Sequence, residues 1–137
     1  MEIADLPPIL IVDDDPLFRL LTRMLLESHG LTVSVAAGCE EAIELLPIAQ
    51  PGLALVDMAM PQLDGLRTIA ALRAVASDLR FIACSGQEEE FFRDRLDLLD
   101  VPHFLPKPFT VDVLLAMLRR AMNGRAICGE LAAVSNQ

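Results

Sequence analysis

Ile9-Leu-Ile-Val-Asp-Asp-Asp-Pro16 is the stretch whose reading decides the fold. Four apolar residues run without alternation, which suits a strand buried on both faces. The run stops abruptly at three acids. Asp15 followed by Pro16 is a helix start: an N-cap oxygen, then a ring whose fixed φ and missing N–H suit the first turn. Leu17, Leu20, Leu21, Met24 and Leu25 follow at helical spacing, and Gly30 stops the helix.

Downstream, the strand–helix pattern repeats. Leu31 to Ala36 reads as a second strand, and Cys39 to Leu46 as a short helix closed by Pro47. Leu53 to Val56 is a third buried strand ending in Asp57. A loop from Met58 to Leu63 contains Pro61, and a third helix runs from near Asp64 to about Val75; Asp64-Gly65 reads as a turn into it. Phe81 to Cys84 is a fourth strand, ending in Ser85 and Gly86. Glu88 to Leu99 is a fourth helix whose leading glutamates complement its N-terminus. Of Phe91 and Phe92, one packs in the core and the other is exposed. Val101 to Leu105 is a fifth strand, ending at Lys107. Thr110 caps a fifth helix with an apolar stripe of Val111, Leu114, Leu115, Leu118 and Met122. Alternation of buried strands with helices argues for a doubly wound α/β domain, in which ligands bind beyond the C-terminal strand ends where strand order reverses. The residues just past those ends are Asp13 and Asp14, Asp57, Ser85 and Lys107.

Composition narrows the function. A chain of 137 residues favours one domain with a real core. Its net charge of -9 disfavours direct binding to nucleic acid or anionic membranes. No apolar run approaches a membrane span and no signal-peptide pattern is present, so a soluble cytoplasmic protein is expected. Cys39, Cys84 and Cys128 lack metal or disulfide spacing. His29 and His103 show no ligand spacing either. The basic residues are ten arginines and a single lysine, Lys107. Arginine cannot everywhere replace a compact ammonium acting as a point charge.

Three carboxylates on one rim repel each other and need a cation. Oxygen ligands without His or Cys point to a hard ion such as Mg²⁺. A metal there would let an anionic phosphoryl group approach Asp57, since carboxylates are covalent phosphoryl acceptors. Lys107 can neutralise one phosphoryl oxygen and Ser85 can hydrogen-bond another.

The chain resembles the receiver domain of two-component response regulators. The matching residues are Ile9-Leu-Ile-Val-Asp-Asp-Asp15, Leu55-Val-Asp-Met-Ala-Met-Pro-Gln-Leu-Asp-Gly65, Ile82-Ala-Cys-Ser-Gly86 and Phe104-Leu-Pro-Lys-Pro-Phe109. They stand in the family's order and at its spacing. The resemblance covers residues 8–124, leaving 1–7 as an N-terminal tail and 125–137 as a C-terminal tail or the start of a linker. It implies a flavodoxin-like fold of five parallel strands in the order 2-1-3-4-5. It implies Asp57 as phosphoacceptor and Asp13, Asp14, Asp57 and the carbonyl of Ala59 as ligands of Mg²⁺, with Mn²⁺ a possible substitute. It also implies Ser85 and Phe104 as the switch pair, Lys107 as the phosphate-pairing lysine, and a cis Lys107-Pro108 bond. The implied donor is a histidine kinase or a histidine phosphotransfer protein. The implied readout is an effector or a second copy on the surface of the fourth helix, fifth strand and fifth helix. Such a chain is regulatory rather than an enzyme acting on a separate substrate. Phe104 lacks the hydroxyl of a tyrosine, and Ala59 offers no polar side chain beside the phosphoryl group.

Three other readings compete. A haloacid-dehalogenase-type phosphatase would use Asp13 as nucleophile, but Leu17 stands where Thr or Val is usual and no later acidic pair follows. A flavodoxin-like electron carrier lacks its phosphate loop and any Trp or Tyr for flavin stacking. A degenerate receiver would bind partners without phosphorylation, yet every key position is filled.

Overall fold

The computed structural model describes residues 2–59 and 65–134, with side chains to residue 123. Five strands form one parallel sheet in the order β2-β1-β3-β4-β5: β1 (Ile9–Val12), β2 (Val33–Ala36), β3 (Leu53–Asp57), β4 (Arg80–Ser85) and β5 (Phe104–Pro106). The helices are α1 (Pro16–Glu27), α2 (Cys39–Ala49), α3 (Gly65–Val75), α4 (Arg93–Leu98) and α5 (Val111–Val134).

The unbroken apolar strands are buried on both faces because successive side chains serve different layers. Leu10, Val12, Ala54, Val56, Phe81 and Ala83 pack with Leu46, Ile69, Leu72 and Leu96 of α2, α3 and α4. Their neighbours Ile9, Ile11, Leu53, Leu55, Ile82 and Cys84 pack with Leu26 of α1 and Leu114 and Leu118 of α5. Each fully buried Leu or Ile contributes roughly 1.5–3 kcal/mol of transfer free energy. The register pairs Val12 with Val56 and Asp57 with Cys84, so β1, β3 and β4 end almost level. Strand order reverses beside β1, and the acids emerge there.

Several boundaries differ from the sequence reading. The N–H of Leu31 bonds Leu26 O around Gly30, whose φ is +83°, so Leu31 closes α1 and β2 begins later. Pro47 lies inside α2 rather than ending it. In the last turn it forfeits one backbone bond, and the helix stops instead at Gln50, φ 47°, whose N–H bonds Leu46 O. The fourth helix is shorter than expected: a 3-10 turn, Glu89–Phe91, precedes α4. Val101 donates to Leu96 O and so caps α4, leaving β5 to start at Phe104. Phe92 is buried and Phe91 exposed. Thr110 Oγ1 accepts from Val113 N and caps α5, which carries on to Val134. Most of the loop with Pro61, and Asp64, lie outside the described residues.

α1 is a helix as its spacing predicts, with Asp15 accepting from Leu17 N and Pro16 in the first turn. Its sheet-facing row, however, is Phe18, Thr22 and Leu26. Leu17, Leu20, Leu21 and Met24 are each more than half exposed and form an apolar stripe on the outer side.

Candidate functional site

β1 and β3 bring Asp13 and Asp57 side by side at the switch in strand order. Carboxylate oxygens of Asp13, Asp14 and Asp57 lie within 4.8 Å of one another. Asp13 and Asp57 are buried; Asp14 is exposed and reaches in from the rim. Crowded carboxylates with water on one side are donors for a hard divalent cation, and the set fits Mg²⁺ by charge and ligand chemistry.

Each carboxylate oxygen of Asp13 has one partner in the protein. Its Oδ1 accepts from Asp15 N at 2.9 Å, its Oδ2 accepts from Lys107 Nζ at 2.7 Å, and its carbonyl accepts from Arg19 Nη1 at 2.7 Å. Asp57 is less satisfied: Ala59 N donates to Oδ1 at 3.3 Å and Lys107 Nζ stands 3.8 Å away. Burial pushes the Asp57 carboxyl above its usual range, and the Asp13 charge adds to this; Lys107 and the Ala59 N–H oppose it. Burial acts to lower Lys107, but its hydrogen bond to Asp13 and the charges of Asp13 and Asp57 outweigh that and hold the ammonium above its usual range.

Lys107 N donates to Ser85 O at 2.8 Å, tying the residue after β5 to the end of β4. The Lys107-Pro108 bond is cis. Ser85 is wholly buried and its Oγ accepts from Gln87 N at 3.0 Å. Phe104 is buried and stacks on Phe92 at 6.2 Å. Cys84 is buried beside the site, its thiol pushed up to about 12 by burial, so it is packing rather than a nucleophile. His103 lies away from the rim, lowered by burial and then by Arg120 and Arg80.

Thus Asp13, Asp14, Asp57 and Lys107 converge as the sequence predicts, with Ser85 adjoining through its backbone bond to Lys107. Two residues were given no role from the sequence. The Phe18 ring lies under Lys107 Nζ, 4.0 Å from its centroid, and Phe109 meets Phe18 edge-on at 5.9 Å. Helical side chains lean toward the N-terminus, so an aromatic in the first turn of α1 was placed to cover this rim.

The family model of the response regulator receiver domain matches residues 9–119. The chain belongs to the response regulator receiver domain family.

This receiver is 35% identical over 113 residues to response regulator MprA of Mycobacterium ulcerans, covering 81% of this chain and 48% of that protein. The receiver thus spans about half the length of the curated relatives it matches. Among solved structures, the signal receiver domain of a modulated diguanylate cyclase from Desulfovibrio desulfuricans G20 superposes with a TM-score of 0.77 at 32% identity, covering 90% of this chain and 98% of that one. A response regulator receiver protein from Pseudomonas putida gives 0.76 at 31%, covering 85% and 98%. Vibrio cholerae chemotaxis protein CheY4, at 23% identity and a TM-score of 0.80 over 85% of this chain and 98% of that one, shares the fold. The receiver is a regulatory domain of the two-component type. The phosphatase reading is not favoured, and both oxygens of its nucleophile, Asp13, are already engaged. No helix among the described residues is long and apolar enough to cross a membrane.

Proposed function

We propose that the receiver accepts a phosphoryl group on Asp57 in a Mg²⁺-dependent reaction, from a histidine kinase or a histidine phosphotransfer protein. The observation that carries this is the convergence of three carboxylates and the chain's single lysine on one rim. An Asp57 oxygen attacks phosphorus, a carboxyl–phosphate bond forms, and the phosphorus–nitrogen bond to the donor imidazole breaks. Its electron pair returns to the ring, which takes a proton from water. Asp13, Asp14, Asp57 and the Ala59 carbonyl would hold the cation; bound there, Mg²⁺, or Mn²⁺ in its place, neutralises charge between carboxylates and phosphoryl oxygens. Lys107 is within reach of a phosphoryl oxygen on Asp57 once it leaves Asp13. Asp13 stays an anchor, its Oδ1 held by Asp15 N while its Oδ2 receives Lys107 in the resting site.

The donor approaches over the rim, next to which α1 begins. The exposed Leu17, Leu20, Leu21 and Met24 give an apolar helical face for the donor's own helices. On the output side, the Ser85 hydroxyl, whose oxygen accepts from Gln87 N, donates to a phosphoryl oxygen, and Phe104 moves with it. Phe104 rests on Phe92, which touches the exposed Phe91, so the change reaches the α4-β5-α5 surface. An effector or a second copy binds there, and phosphorylation shifts a pre-existing equilibrium toward that form. The setting is the cytoplasm.

The test is incubation with Mg²⁺ and acetyl phosphate followed by intact-mass measurement. Wild type gains one phosphoryl group; Asp57→Asn gains none. An equal gain on both proteins sinks the assignment.

A further inference from the structure

Transfer to Asp57 asks one ammonium to serve two anions in turn. In the resting site Lys107 Nζ is bonded to Asp13 at 2.7 Å and stands off Asp57 at 3.8 Å. Neither carboxylate accounts for what holds the ammonium on its remaining side. There it lies 4.0 Å from the centroid of the Phe18 ring. Phe109, two residues past Lys107, braces that ring edge-to-face at 90°. The segment that carries the lysine therefore also fixes the surface on which its head rests.

We propose that Phe18 is a positioning residue for Lys107: its ring is a bearing face that keeps the ammonium at the rim while it passes from Asp13 to a phosphoryl oxygen on Asp57. A hydrogen bond to Asp13 is directional and is lost as Nζ moves. Attraction to an aromatic face comes from the ring quadrupole and varies gently as a cation slides across it. The lysine side chain has four torsions to immobilise, and a ring beneath its head removes the solvent-directed rotamers. A compact ammonium suits such a bearing; a planar guanidinium would stack flat and spread its charge. Leucine at 18 fills similar space without a quadrupole.

The kinetic part of this role rests on Asp57 being the acceptor; the placement part does not. Because Lys107 is the only lysine, lysine-selective isotope labelling yields one set of side-chain NMR signals. In metal-free wild type the Lys107 Hε protons shift upfield under the ring current. Phe18→Leu abolishes that shift and Phe18→Tyr keeps it. With Mg²⁺ and acetyl phosphate, Phe18→Leu slows phosphoryl uptake by roughly three- to tenfold. Phe18→Tyr restores the rate, and in a Lys107→Gln background Phe18→Leu has no further effect. Unchanged Lys107 resonances in Phe18→Leu, or a slowing that persists without Lys107, overturns the proposal. No uptake by wild type overturns the acceptor reading and with it the kinetic role, while the ring-current result still decides the placement.

Discussion

Lys107 and Asp13 form a 2.7 Å ion pair across 94 positions of sequence, with the Asp13 side chain 2% exposed and that of Lys107 23% exposed. Removing one member leaves the other without its partner. Lys107→Ala is expected to destabilise the metal-free protein by about 2–3 kcal/mol, discounted from the fully buried case because the lysine sees water. Chemical denaturation in EDTA measures it. Mg²⁺ should recover part of the loss, since a cation beside Asp13 supplies the missing charge.

Asp57 gives the pH dependence. Its folded pKa lies above the unfolded value, so the folded state holds the proton more tightly. Stability from this group is therefore greatest below the unfolded pKa, near 3.8, and declines as pH rises to the higher folded value. At neutral pH the ionised carboxylate is a standing cost. Asp57→Asn should raise the melting temperature of the metal-free protein, by about 3–5 °C per kcal/mol relieved. Mg²⁺ should stabilise wild type more than this variant; a lower melting temperature for Asp57→Asn in EDTA would contradict the reading.

Gly65 opens α3 against the end of β3. A Cβ there would come 2.5 Å from the Asp57 carbonyl oxygen, 2.7 Å from Met58 Cα and against Met58 Cε. The methionine side chain can yield, but the two backbone atoms cannot without moving the strand end. Gly65→Ala should cost about 1–3 kcal/mol and slow phosphoryl uptake together. Uptake kinetics and thermal melts on one preparation check both.

The outer face of α1 separates protein donors from small ones. Leu20→Glu and Leu21→Glu place charge on residues 54% and 55% exposed, so stability should change by less than about 0.5 kcal/mol. Transfer from a phosphorylated histidine kinase or phosphotransfer protein should fall at least about tenfold, the loss of roughly 1.4 kcal/mol of docking. Acetyl phosphate should serve both variants as it serves wild type. Equal loss with both donors would place the defect in the fold.

The ends of β1, β3 and β4 were readable because each is an apolar run stopped by a polar residue, Asp13, Asp57 and Ser85, and the switch-point rule then gathered Asp13, Asp57 and Lys107 into one place. Helix sidedness was harder to read. α1 carries apolar residues on two faces, and spacing alone cannot say that Phe18, Thr22 and Leu26 face the sheet while Leu20 faces out. The short α4 was hidden because Phe92 and Val101 act as ends of a helix that composition alone would have made longer. The cation–π contact of Lys107 was hidden because it joins residues far apart in sequence through ring geometry, which leaves no periodic trace.

β5 has one further consequence. Lys107 N donates inward to Ser85 O, and Ala83 N donates to His103 O, so the outward positions of β5 and the residues just past it are Phe104, Pro106 and Pro108. Two of these three are prolines with no N–H to offer. The β5 margin of the sheet is therefore almost bare of donors, and a stray β-segment finds little there to pair with. The same short stretch that delivers the lysine also blunts this edge of the sheet against pairing with another strand.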